Sequence, residues 1–242
     1  MTTEQPGRAI VSPGAAFVQA PATDDHEDIC TFCSEVKGDD TLNLFLDEGI
    51  TPEQYILLDT DHWVVFPCIG ALTDYYVLII SKRHALSVGW LEAAAQAELR
   101  DVVMPRVQRE LKAHSGHDVI FFEHGSLNFR DKGGACFDHA HVHAVATERP
   151  MAGFLPHVAD SVDLVPCGDW VTAATDMVQA RQVAYLALSD GHHHLVGEAV
   201  QGRVRSQFFR RALTAWLGNG EDWDWYVNRQ LPRVRTMAQG HW

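Results

Sequence analysis

Apolar and polar positions alternate strictly over one stretch of this chain, Asp138-His139-Ala140-His141-Val142-His143-Ala144-Val145. Period-two alternation marks a strand, so His139, His141 and His143 share one face while Ala140, Val142 and Ala144 face a core on the other. Imidazoles on that face are rooted roughly 6.7 Å apart. Upstream, apolar runs at residues 55–58, 63–67 and 75–80 predict three strands, the first two joined as a hairpin through the polar turn 59–62. Residues 91–113 predict one long helix with Leu91, Ala94, Ala95, Leu99, Val102 and Val103 on one face and a candidate kink at Pro105. Residues 119–123 predict a short strand, and the loop 125–134 leads into the histidine strand.

The later part is less regular. Residues 151–169 read as a loop with short strands and 170–179 as a short helix. Runs at 183–188 and 193–198 flank Asp190-Gly191, a hairpin turn pair. Ser206 is a candidate N-cap for a helix over 207–217 that Gly218 ends. Residues 1–25 have no periodicity and read as an N-terminal arm. The pattern predicts an α+β fold: an antiparallel sheet with one long helix over residues 26–150, and a hairpin-and-helix extension over 151–242 packed on it.

Composition narrows the function classes. The chain has 242 residues, 46% hydrophobic and 21% charged, as in soluble globular proteins. Its formal net charge of -13 disfavours a binder of duplex nucleic acid or of an anionic membrane. No apolar run approaches the length of a transmembrane helix, and the N-terminus lacks a signal-peptide pattern, so a cytoplasmic protein is expected. The five cysteines, two of them in Cys30-x-x-Cys33, read as metal ligands or reduced thiols.

Three imidazoles on one strand face can act as nucleophile, proton carrier or metal ligand near neutral pH. A metal-dependent hydrolase with His139 and His141 as ligands is one reading, although a third ligand at a clear spacing is missing. Four arginines fall between Arg203 and Arg211 of this acidic chain. Arg205, Ser206, Gln207 and Arg210 there are expected to bind a distal phosphate or leaving group at a helix start. The other readings of that cluster are a solvated helix face or a dimer interface.

Residues 139–145, His-Ala-His-Val-His-Ala-Val, resemble the motif of the histidine triad (HIT) superfamily of nucleotide hydrolases and transferases. Residues 66–84 are similar to that family's strand-loop-strand ending in Pro-Lys-x-His, with Ser81 in place of the Pro. Glu123-His124-Gly125, then Gly133-Gly134, then Asp138-His139 resembles one subgroup. The resemblance spans about residues 28–150. It implies that His141 attacks the α-phosphorus of a nucleotide conjugate, with its other nitrogen held by a main-chain carbonyl, and forms a nucleotidyl-histidine. His143 would lie beside the phosphate oxygens, with His139 and Glu123 as further catalytic residues. Cys68, Gly134 and Cys136 fall at substrate positions. Cys68 stands where many members carry a ribose-binding Asp, and Cys136 where many carry a Ser or Thr. These two replacements feed a second reading, a HIT-fold protein that binds a nucleotide without turning it over. The resemblance further implies a structural Zn2+ on Cys30, Cys33, His84 and His139, no organic cofactor, and a homodimer.

Overall fold

One antiparallel sheet of eight strands carries the site, in the order β1-β2-β3-β5-β4-β7-β8-β6. The computed structural model describes residues 24–220 and 222–240, so residues 1–23 of the expected N-terminal arm lie outside it. In chain order come α1 (Thr31–Lys37), α2 (Leu44–Asp47), α3 (Pro52–Tyr55), β1 (Leu58–Asp59), β2 (Trp63–Pro67) and β3 (Tyr76–Ser81). Then α4 (Ala93–Glu98) runs through a π-helical turn at Leu99–Val103 into α5 (Met104–Ser115). β4 (Asp118–Gly125), β5 (His141–Thr147), β6 (Val165–Cys167), α6 (Trp170–Thr175), β7 (Tyr185–Ser189), β8 (His194–Glu198), α7 (Phe208–Leu217) and α8 (Leu231–Ala238) follow. This is the expected α+β architecture.

Leu91, just ahead of α4, and Ala95, Leu99, Val103, Val107 and Leu111 along the long helix are buried, each four residues from the last, whereas Val102 is 51% exposed and Ala94 is exposed. Steps of four drift by roughly 40° each on an α-helix. The wider π turn takes up part of that drift and keeps the stripe on the sheet. Pro105, which lacks an N–H, begins α5 just after it, a local reason for the ladder to change there. The run at 55–58 is not one strand. Pro52 follows Thr51, which forms a capping box with Gln54, so residues 52–55 make a helical turn and the strand shrinks to Leu58–Asp59.

Two cores sandwich the sheet. Val142, Ala144 and Ala146 of β5 face the long helix and α6, together with Val77, Ile79 and Phe121. On the other face Leu78, Ile80, Phe122 and Leu186 meet Phe208, Phe209 and Trp216 of α7. The chain beyond residue 151 therefore continues the same sheet. β7 pairs with β4 along its length, from Phe121↔Ser189 to Gly125↔Tyr185, and the tail crosses back over the histidine face. The outer strands β1 and β6 are two and three residues long, which leaves little free sheet edge. α7 starts one residue later than expected. Gln207, in the left-handed region at φ 59°, occupies the cap position in place of Ser206.

Gly125 pairs with Tyr185, and a Cβ there would lie 2.1 Å from the tyrosine ring. Gly125→Ala should thus push a fully buried ring and destabilise the fold by about 1–3 kcal/mol. Urea unfolding at unchanged m-value would measure it, and an unaltered midpoint would contradict the packing described.

Candidate functional site

Register builds the site. His143 pairs with Leu78 of β3 and with Phe122 of β4, and His141 pairs with Ile80. These side chains lie on the face that α7 covers, so His139, His141 and His143 are 1%, 3% and 5% exposed. His141 Nδ1 lies 2.7 Å from the carbonyl oxygen of His139, two residues back on the same chain segment. A carbonyl only accepts, so Nδ1 carries the proton and Nε2 keeps its lone pair. Burial pushes the His141 imidazole down to about 4, against the raising effect of that hydrogen bond, so the ring is neutral at pH 7. His141 lines a cavity that it shares with His143, Cys68, Cys136 and Arg210. A neutral imidazole with one nitrogen anchored and the other open to a cavity has the form of a nucleophile.

His143 is held differently. Its ring stacks on Phe122 at 4.4 Å between centroids, and its Nδ1 lies 2.7 Å from the Tyr76 hydroxyl. Burial drives its pKa well below the ordinary histidine value, and the neighbouring His141, His124 and Arg210 act the same way. Arg210 Nη1 donates to the same hydroxyl at 3.4 Å. The phenol accepts from the guanidinium, and its own proton has His143 Nδ1 as its acceptor. The remaining proton of the His143 ring is then on Nε2, as a donor.

Arg210 is 2% exposed and has no ion pair among the described residues. Its donors go to neutral acceptors: the carbonyls of Trp223 (2.9 Å) and Gly70 (2.7 Å), the Tyr76 hydroxyl, and Cys68 Sγ at 3.7 Å. A buried cation without a carboxylate is costly. This one lines the same cavity as the two histidines, where an anion would compensate it.

Next to this cavity Cys30, Cys33, His84 and His139 bring four ligand atoms within 4.8 Å of one another. Cys33 Sγ is 3.1 Å from His84 Nδ1 and 3.5 Å from His139 Nδ1, and Cys30 Sγ is 3.3 Å from His139 Nδ1. A tetrahedral centre with thiolate and imidazole ligands spaces its donors about 3.3–3.8 Å apart, so the group can hold a metal ion. His139 is also in the tautomer a ligand needs. Its Nε2 lies 2.8 Å from the Ser81 carbonyl and donates to it, which leaves Nδ1 bare towards the thiols. The Cys30 thiol is pulled well down, chiefly by a hydrogen bond from Cys33 and also by His139 beside it.

The expected site residues separate into groups. His139 and His141 do not converge on one metal: His139 Nδ1 faces the thiols while His141 Nδ1 is bound to the backbone. That geometry argues against the metal-hydrolase reading. Glu123 is not beside the triad. It follows Phe122 on β4 and so points to the opposite face, where it accepts from the Val88 N–H at 2.8 Å and from the Tyr185 hydroxyl. Burial raises it to about 7. Its neighbour His124 is on the triad face instead, pushed down to about 3 by burial, and its Nε2 accepts from the Phe209 N–H at the start of α7. Cys68 and Arg210 line the cavity, and Cys136 lines both it and an adjoining cleft. Gly134 and Ser206 border that cleft with Arg130 and Lys132. Gly134, at φ 86°, turns its carbonyl to the Gln207 N–H at 2.8 Å. Arg205 is exposed and lines neither space, and Gln207 serves as the cap of α7.

Three residues of the site had no sequence signal, Tyr76 behind His143 and Phe32 and Glu35 on α1, while Ser81, which replaces a Pro of the resemblance, stands behind His139. The Phe32 ring lies 5.0 Å from that of His141 and 4.4 Å from that of Phe137, which Trp225 meets in turn at 5.2 Å. Among the described residues no helix is long and apolar enough to cross a membrane.

No family model matches this chain, and no curated protein matches it. Solved structures similar to it include a hypothetical histidine triad nucleotide-binding protein from Sulfolobus tokodaii, at 19% identity and a TM-score of 0.37, covering 50% of this chain and 70% of that one. A histidine triad protein from Clostridium difficile is similar at 15% identity and a TM-score of 0.37, covering 50% and 93%. A HIT family hydrolase from Clostridium thermocellum is similar at 19% identity and a TM-score of 0.32, covering 49% and 90%.

Protein purified without chelators should carry about one metal ion per chain. Cys33→Ser should release it and lower Tm by about 10 °C or more, because metal binding is coupled to folding of the segments it joins. Elemental analysis and a thermal melt measure both, and a metal-free parent protein would contradict the site.

Proposed function

We propose that this chain is a histidine triad protein that acts as a nucleotide hydrolase or nucleotidyltransferase through His141. The observation that carries the reading is the bond from His141 Nδ1 to the His139 carbonyl, which leaves a neutral imidazole with Nε2 open to the cavity. In the proposed reaction Nε2 attacks the α-phosphorus of a nucleotide conjugate. The N–P bond forms as the bond from phosphorus to the leaving group breaks, and that group departs with the electron pair. Water, or another acceptor, then attacks phosphorus and gives up its proton to solvent, while the P–N bond breaks and its electron pair returns to Nε2. His143, as an Nε2–H donor, binds a non-bridging phosphate oxygen, and Arg210 compensates the phosphate charge. Preorganised donors of this kind act without reorganisation as charge develops in the transition state.

The metal at Cys30, Cys33, His84 and His139 is proposed to be zinc in a structural role, since all four ligand positions are filled by side chains. The leaving group is proposed to lie on the side of the cleft that Cys136, Gly134 and Ser206 border.

His141→Ala should lower kcat by about 10³-fold or more on nucleoside phosphoramidates, dinucleoside polyphosphates or nucleotide sugars, with the fold retained. His141→Gly should recover part of the rate when free imidazole is added. Release of nucleoside monophosphate is the readout. Full activity in His141→Ala would sink the covalent route, and nucleotide binding without turnover in the parent protein would leave a binding protein instead.

A further inference from the structure

His141 has no open approach. His141 and His143 are 3% and 5% exposed, and Cys68 and Arg210, which line the same cavity, are 2% exposed each. A substrate of nucleotide size reaches the ring only if part of the wall moves. Much of that wall belongs to regular elements: Phe66 to β2, Leu78 to β3, the two histidines to β5 and Arg210 to α7. Trp225 differs. It lies in the segment 223–229, which is neither helix nor strand and has no buried residue. It lines the cavity all the same, and its ring meets that of Phe137 at 5.2 Å between centroids.

The segment holds its own shape. The Asp224 carboxylate accepts from the Tyr226 N–H at 3.0 Å and the Asp224 carbonyl from the Asn228 N–H at 2.9 Å, so this turn survives release of its ends. Those ends are held unequally. At one, the Trp223 carbonyl accepts from Arg210 Nε at 2.9 Å, and the Arg211 guanidinium lies 3.2 Å over the Trp223 ring, both from α7. At the other, the Arg229 carbonyl accepts from the Gly70 N–H at 2.7 Å, and the Arg229 guanidinium makes a partly exposed ion pair with Glu48 at 2.9 Å. Gln230 follows in the left-handed region at φ 52°, a conformation unfavourable for a residue with a Cβ. Between the ends Trp225 rests against bare backbone at Gly70, where a Cβ would lie 2.5 Å from Trp225 Cβ.

We propose that residues 223–229 form a lid that pivots at Trp223 and lets go at Arg229, lifting Trp225 off the cavity over His141. The opening itself presumes no substrate; that a nucleotide conjugate enters beneath it rests on the reading above. Closed, the lid keeps bulk water from the cavity and strengthens every electrostatic contact inside it. Arg210 ties the lid to the ligand, since the guanidinium that meets phosphate in the proposed reaction also holds the Trp223 carbonyl. The other way in runs past Cys136 from the adjoining cleft and would leave the lid still.

Alkylation of Cys68 by iodoacetamide tests this, followed by peptide mass spectrometry on the full-length, metal-loaded protein without nucleotide. Cys167, which lines neither the cavity nor the cleft, is the control. Cys68 should react about 100-fold or more faster than global unfolding allows, as read from hydrogen exchange of the β3 amides. The Gly70 N–H should exchange in step with it. Glu48→Ala acts from outside the cavity and should raise both rates by about threefold, with Tm and the Cys167 rate preserved. Gly70→Ala pushes Trp225 outward and should raise the Cys68 rate by about tenfold or more. If Gly70→Ala does not fold, the parent protein and Glu48→Ala decide. Cys68 alkylation limited by global unfolding overturns the lid. So does a fast rate that is unchanged in every folded variant, as entry past Cys136 would give. Either result leaves the reading of His141 in place. Failure to turn over any nucleotide conjugate, with Cys68 gated as stated, overturns that reading and leaves the lid.

Discussion

His139 makes two commitments at once, and the site depends on their being compatible. Its carbonyl accepts from His141 Nδ1, while its ring donates from Nε2 to Ser81 and turns Nδ1 to the cysteines. The backbone at one residue thus sets the tautomer of the candidate nucleophile, and the side chain of the same residue closes the metal-ligating group. Movement of that segment disturbs both. The cysteines extend the constraint to α1, because Cys33 lies in that helix and Cys30 caps it. α1 in turn supplies Phe32 and Glu35 to the cavity wall. A metal at the four ligands would therefore fix the shape of the cavity beside His141 without touching what binds there, a second-sphere influence of the kind that outer ligands commonly exert.

The tail supplies the opposite wall. α7 lies over the histidine face, its first turn held by His124, and delivers Arg210 into the interior with only neutral partners. Such a cation destabilises the empty protein by an amount that a bound anion recovers. The same guanidinium orients Tyr76, and Tyr76 orients His143. Charge compensation and tautomer selection at the two cavity histidines thus come from opposite sides: His141 is set by its own strand, His143 by the tail. The second half of the chain extends the sheet past β4 and also covers its histidine face, so it completes the cavity rather than decorating it.

Much of this was legible in the sequence, for reasons that differ residue by residue. The triad could be read because strand alternation is local, and two apolar neighbours in step with three histidines leave one geometry. The metal-ligating set was legible only through resemblance, since positions 30, 33, 84 and 139 meet by way of three separate elements. Glu123 was misplaced for a specific reason. On β4 it is Phe122 that pairs with His143, so residues 122 and 124 share the triad face and 123 does not. Register between strands is a tertiary property, and a shift of one residue exchanges the faces. The tail shows the same limit on a helix. A start one residue later, at Phe208, with Gln207 in the left-handed region, leaves Arg205 outside while Arg210 reaches the cavity. Tyr76 and Glu35 gave no signal at all, because nothing in an apolar run or in a helix after Cys-x-x-Cys says which side chain will border a cavity built by distant segments.

The central claim is the protonation state of His141, and side-chain nitrogen NMR measures it directly. Two-bond proton–nitrogen correlations on the metal-loaded protein at pH 7 should show His141 neutral, protonated at Nδ1 and bare at Nε2. An imidazolium at pH 7, or a ring protonated at Nε2, would contradict the account, because either leaves no lone pair at Nε2 to attack phosphorus.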